Sequence, residues 1–143
     1  MRRLLFENAT VVTMNDDFDV VEGHVIVEDD RIAAVGSGPA PVQNYDETID
    51  ATGRLLTPGF IQPHIHLCQT LFRGYADDLA LLEWLGQRIW PFEAGHTPES
   101  LYCSSMLGGA ELLRGGTTAI LDMGTVRQTD SIYKAAKKLG LRA

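Results

Sequence analysis

The chain has 143 residues, of which 45% are hydrophobic and 22% charged, a composition typical of globular proteins. Its net charge of −7 argues against a nucleic-acid polymer or an anionic membrane surface as a partner, but not against a small neutral ligand. Two cysteines are too few for a disulfide framework, and no apolar run reaches the ~18 residues of a membrane span. We therefore expect a cytoplasmic protein without a signal peptide.

Residues 1–57 have the pattern of short strands separated by turns. The stretch 7–14 is rich in β-branched residues, and 23–29 and 31–36 flank an Asp-Asp turn that predicts a hairpin. Two further short strands are predicted around the turn at 50–53. Together these elements predict a small β-sandwich or sheet.

After Pro58 the pattern changes to strands that alternate with helices. Residues 60–66 predict a short, mostly apolar strand. Residues 77–90 predict a helix with Asp77 or Asp78 as its N-cap and Pro91 as its end.

The next helix is predicted to begin at Thr97-Pro98-Glu99 and to end at the glycine pair 115–116. A buried strand at 117–123 and a helix at 131–139 follow, and 141–143 could begin a third strand. Strands that alternate with helices form parallel sheets, whose active sites gather at the carboxyl ends of the strands.

Two histidines, His64 and His66, end the first strand of this series. Residues two apart on a strand point to the same face, so both imidazoles are expected to converge and could share a zinc or iron ion. The alternative is a pair of polar residues that simply ends a buried strand. Asp122 ends the second strand, where it could line a pocket or cap the next turn.

The stretch LLTPGFIQPHIH, following a strand-rich segment, resembles the amidohydrolase superfamily. HIHLCQTLFRG, LLEWLGQRIWPFE and LLRGGTTAILDM resemble its branch of methylthioadenosine, S-adenosylhomocysteine and 5′-deoxyadenosine deaminases, to which triazine chlorohydrolases are related. The resemblance extends from Leu4 to Ala143. It implies an α/β fold: residues 1–57 form the N-terminal part of a β-sandwich domain, and 58–143 form the first two to three βα units of an incomplete (β/α)8 TIM-type barrel.

The resemblance also implies a site. His64 and His66 would supply two metal ligands, while further ligands and the general acid/base are expected beyond Ala143, so no catalytic residue is assigned here. Glu93, which ends WPFE, would contact the ribose hydroxyls, and Trp84 would flank the pocket. Cys68 is expected to be a small buried filler.

The implied function is hydrolytic deamination of an adenine nucleoside by the full-length protein, with one divalent metal ion, zinc or alternatively iron, in a homo-oligomer. Because such a barrel needs ~250 residues, the chain is expected to be an inactive N-terminal fragment. One alternative is an aminohydrolase or chlorohydrolase of triazine or guanine-type rings. Another is a truncated pseudoenzyme or half of a split assembly.

Overall fold

The computed structural model describes residues 1–75 and 77–143. These residues form two compact units, unit 1 from Met1 to Pro58 and unit 2 from Gly59 to Ala143. Within the described ranges, no helix combines the length and the apolar character needed to cross a bilayer.

Unit 1 is a five-stranded sheet of β1 (Arg3–Val12), β2 (Val20–Glu28), β3 (Arg31–Ser37), β4 (Glu47–Asp50) and β5 (Leu55–Leu56). The strand order is β3-β2-β1-β4, and β5 also pairs with β1. The predicted hairpin is confirmed, since β2 and β3 pair antiparallel with Glu28 opposite Arg31. Strands β4 and β5 run parallel to β1. A cluster of small apolar side chains from three parts of the unit forms its core: Ala9, Val11, Val25 and Ala51.

Unit 2 is built from strands that alternate with helices. Its elements are β6 (Phe60–Ile65), a 3-10 helix (Leu67–Phe72), α1 (Leu81–Trp84), a π-helical segment (Leu85–Ile89), α2 (Trp90–Ala94), α3 (Pro98–Arg114), β7 (Thr117–Asp122) and α4 (Asp130–Leu139). Strands β6 and β7 are parallel. Arg142 forms an isolated parallel bridge with Ala119, at the position where the third strand is predicted to begin. This parallel arrangement is the predicted α/β class.

The boundaries of α3 and α4 follow from local sequence signals. Thr97 caps α3, because its hydroxyl accepts from the Ser100 N–H and the Ser100 hydroxyl accepts from the Thr97 N–H. Helix α4 ends at Gly140, whose φ of 72° is left-handed and favours glycine. Both boundaries agree with the sequence prediction.

The helix predicted over 77–90 is corrected by the structure at both ends. It begins at Leu81 after Ala80, so neither Asp77 nor Asp78 is its N-cap, and it continues through Pro91 to Ala94. A proline inside an α-helix lacks the N–H that bonds to residue i−4, but the first turn tolerates it. The wider π-helical turn just before α2 makes Pro91 a first-turn residue, so the helix does not break there.

Candidate metal and substrate site

The two histidines of the His-x-His motif meet at the carboxyl end of β6. His64 lies on the strand and His66 immediately follows it. Their Nε2 atoms are 3.2 Å apart, and their ring centroids are 5.1 Å apart with the ring planes inclined at 64°. The side chains therefore present two nitrogen atoms to one point.

A bulge in β6 accompanies this arrangement. Between Gln62 and Ile65 the strand advances three residues, while its partner β7 advances two, from Ile120 to Asp122. The extra residue falls in the Pro63-His64 stretch, and a proline cannot donate to the strand ladder. Bulges of this kind redirect side chains near functional sites. The exposed His64 ring therefore projects from the bulged part of β6 and not from a regular strand.

The separation of the two imidazoles fits a shared metal ion. Zinc binds histidine nitrogen at ~2.0–2.1 Å, so two ligands of a tetrahedral ion lie ~3.3–3.4 Å apart. The observed 3.2 Å between the Nε2 atoms is close to that value. The same distance also suits a ring-to-ring hydrogen bond when one Nε2 is protonated, so a metal would have to displace that proton.

Cys68 lies beside the histidine pair but has the properties of a core residue. Its thiol is fully buried and donates to the Gly124 carbonyl at 3.3 Å. Donor atoms of His66, Cys68 and Glu93 lie within 4.8 Å of one another. Burial, together with the negative charge of Glu93, raises the pKa of Cys68 to about 12. The thiol therefore stays protonated near neutral pH and packs in the core of unit 2.

Glu93, on α2, is a buried carboxylate with both oxygens engaged. Its side chain is 7% exposed. Oε1 accepts from Gln69 Nε2 at 2.9 Å, and Oε2 accepts from the Thr125 hydroxyl at 3.4 Å. A carboxylate offers about four lone-pair sites, so each oxygen can accept one further hydrogen bond. No local sequence signal marks Thr125 as a partner of Glu93, because it follows β7 and lies 32 residues from Glu93 along the chain.

Trp84 lies at the carboxyl end of α1 and is half-buried. Its side chain lines an open cleft of about 170 Å³ together with Gln69 and Tyr75. Gln69 thus connects two features, because the same side chain lines this cleft and donates to Glu93. Trp84 and Glu93 share Gln69 as a neighbour.

Asp122 caps the turn after β7 and also reaches the residue after His66. Its Oδ1 accepts from the Gly124 N–H at 2.8 Å, and its Oδ2 accepts from the Leu67 N–H at 2.9 Å. Burial raises the pKa of Asp122 above its ordinary value, opposed by these two hydrogen bonds and by the nearby His66. Of the two alternatives left open by the sequence, these contacts support the cap.

The chain is similar to curated nucleoside deaminases along its whole length. It is 40% identical over 142 residues to a 5-methylthioadenosine/S-adenosylhomocysteine deaminase of Syntrophomonas wolfei, covering 99% of this chain and 32% of the relative. It is 42% identical over 144 residues to a 5′-deoxyadenosine deaminase of Methanosarcina mazei, covering 100% of this chain and 32% of the relative. The chain therefore spans about a third of the length of these relatives.

A solved structure shows the same fold. The adenosine deaminase of Xanthomonas campestris with bound zinc matches with a TM-score of 0.81 and 35% identity, covering 98% of this chain and 32% of that chain. The model of the amidohydrolase family matches residues 55–143, which is more than half of the chain and includes both histidines of the motif. On this evidence the chain belongs to the amidohydrolase family.

Proposed function

We propose that the full-length protein is a metal-dependent deaminase of adenine nucleosides. In this reaction the oxygen of water replaces the amino group on the ring, and ammonia leaves. The observation that carries this proposal is the buried Glu93 carboxylate beside His66, whose ring meets that of His64. Support also comes from relatives at 40% identity or more that are named as deaminases of nucleosides. Residues 1–57 would contribute to a β-sandwich domain and 58–143 to the barrel.

In this proposal His64 and His66 hold a divalent metal ion, with zinc as the first choice because it suits imidazole nitrogens at the observed separation. A bound divalent metal supplies hydroxide near neutral pH, since coordination lowers the pKa of water toward ~7. Each imidazole would bind the ion through the lone pair of one ring nitrogen.

Glu93 would bind the ribose through its two remaining acceptor positions. A vicinal diol offers two O–H donors at neighbouring carbons, which suits a carboxylate whose two oxygens are each half engaged. The adenine amino group reacts at some distance from the sugar, so this contact would position the ring and not take part in the bond changes. Trp84 would flank the sugar on the side of the cleft that it lines.

The first test measures ammonia release by the purified, zinc-loaded, full-length protein. Methylthioadenosine, 5′-deoxyadenosine and adenosine should be deaminated, and free adenine and amino-triazines should react far more slowly. The variants His64→Ala and His66→Ala should lose both activity and stoichiometric zinc, whereas His24→Gln, in unit 1, should keep both. Preference for a triazine or a free base would refute the nucleoside assignment, and no turnover with any ring would favour a pseudoenzyme or a split assembly.

A further inference from the structure

The short turn that follows His66 is held by polar side chains from elsewhere in unit 2. Among the described residues, the main chain of Leu67 and Cys68 forms hydrogen bonds with side chains outside its own 3-10 helix: its carbonyls accept from His96 and Ser104, and the Leu67 N–H donates to Asp122. The Ser104 hydroxyl donates to the Leu67 carbonyl at 2.8 Å, and Asp122 accepts from the Leu67 N–H at 2.9 Å. The His96 Nε2 lies 2.8 Å from the Cys68 carbonyl, which requires the tautomer with its proton on Nε2. We call these three side chains the anchor residues.

Two of the anchor residues are buried, so breaking their hydrogen bonds would reduce the stability of the protein. Ser104 is 0% exposed and His96 is 8% exposed. A buried polar group that lacks a partner is destabilising, so the position at which it finds a partner is strongly specified. Both find theirs in the backbone of the same two residues.

The neighbouring Ser105 provides a comparison, because its buried hydroxyl bonds within its own helix. It is also 0% exposed, and its hydroxyl donates to the Leu101 carbonyl of its own helix at 2.8 Å. That bond to residue i−4 is the usual way in which a serine inside a helix is satisfied. Ser104 instead reaches from α3 to the turn beside the histidine pair.

The anchored atoms determine where the His66 ring lies. Asp122 holds the peptide that leaves His66 through the Leu67 N–H, while Ser104 and His96 hold the next two peptides through the Leu67 and Cys68 carbonyls. The backbone that follows His66 is therefore fixed, with His66 at φ −128° and ψ 84°. A metal site tolerates ligand displacements of only ~0.2 Å. Freeing these peptides would let the backbone at His66 shift, and the 3.2 Å separation between the His66 and His64 Nε2 atoms would shift with it.

We propose that His96, Ser104 and Asp122 are positioning residues that fix His66 for metal binding. This inference rests on the proposed function, because it assumes that the histidine pair holds the ion. The anchor residues act through the backbone and make no contact with the metal themselves. Replacing one anchor residue should therefore weaken metal binding by the His64–His66 pair without unfolding the protein.

The sharpest test compares Ser104→Ala with Ser105→Ala in the full-length protein. Each variant removes one fully buried hydroxyl from the same turn of α3, so both should change the thermal stability of the metal-free protein by similar amounts. Zinc affinity, measured by competition with a chromogenic chelator, should fall about 10-fold in Ser104→Ala, the lower end of the effect of partners that orient metal ligands. Ser105→Ala should stay within about twofold of the unchanged protein.

Asp122→Asn gives a second test, since an amide keeps the shape but has one acceptor oxygen where the carboxylate had two. One of the two N–H groups would then face an amide donor, so zinc affinity should again fall, whereas the exposed Asp130→Asn is the control. Equal losses in Ser104→Ala and Ser105→Ala, or unchanged affinity in both Ser104→Ala and Asp122→Asn, would overturn the proposal. If His64→Ala also leaves zinc binding unchanged, the proposed function fails with it; if His64→Ala abolishes binding, only the positioning role fails.

Discussion

Glu93→Gln gives the most direct test of how the site would choose a nucleoside. A ribose hydroxyl donating to a carboxylate contributes ~1.5–3 kcal/mol, so two such bonds contribute ~3–6 kcal/mol. The glutamine keeps one acceptor oxygen and places an NH2 group where the other oxygen accepts from Gln69 or Thr125. Loss of about one charged bond, at 1.4 kcal/mol per tenfold, predicts a decrease of ~10- to 100-fold in kcat/KM for adenosine.

The assay compares adenosine with 2′,3′-dideoxyadenosine, which lacks both hydroxyls of the diol. In the unchanged protein the dideoxy substrate should be much the poorer of the two. In Glu93→Gln the difference should shrink, because the variant has already lost the contact that the missing hydroxyls would make. Glu83→Gln, an exposed position on α1, is the matched control and should leave the ratio unchanged.

Two results would refute this reasoning. Equal losses on both substrates would mean that Glu93 supports the fold of the pocket and does not recognise the diol. Unchanged kcat/KM for both substrates in the variant would mean that the hydroxyls are bound elsewhere. Measuring zinc content in parallel separates either result from loss of the metal.

Two further predictions concern cysteine reactivity and glycine packing. Iodoacetamide at pH 8 should label the exposed Cys103 and leave Cys68 unlabelled, since burial raises the pKa of Cys68 to about 12. Peptide mass mapping would identify the labelled cysteine. Fast labelling of both cysteines in the native protein would contradict the prediction. Gly108→Ala should destabilise the protein by ~1–3 kcal/mol in chemical denaturation, because the new Cβ would clash with the Thr70 hydroxyl oxygen. At Gly86→Ala the new Cβ would meet no atom of the described residues within 4 Å, so this variant should instead be neutral or stabilising by ~0.5–1 kcal/mol. The opposite order of the two variants would refute the packing argument.

Features that depend on neighbouring residues could be predicted from the sequence. Thr97-Pro98-Glu99 marks the start of α3, and the left-handed Gly140 marks the end of α4, because capping is decided within one helical turn. The spacing of His64 and His66 likewise indicates that their rings meet, since two residues of strand place them on one side. The alternation of strands and helices indicates the parallel pairing of β6 with β7.

Only the tertiary structure decided which distant groups share the site. Glu93 meets Thr125 across 32 residues, and Asp122 meets the Leu67 N–H across 55. The predicted helix end at Pro91 is wrong, because a π-helical turn changes the register in a way that residue preferences do not show. Capping and strand spacing are set by a few adjacent dihedral angles, whereas contacts across tens of residues depend on how whole elements pack.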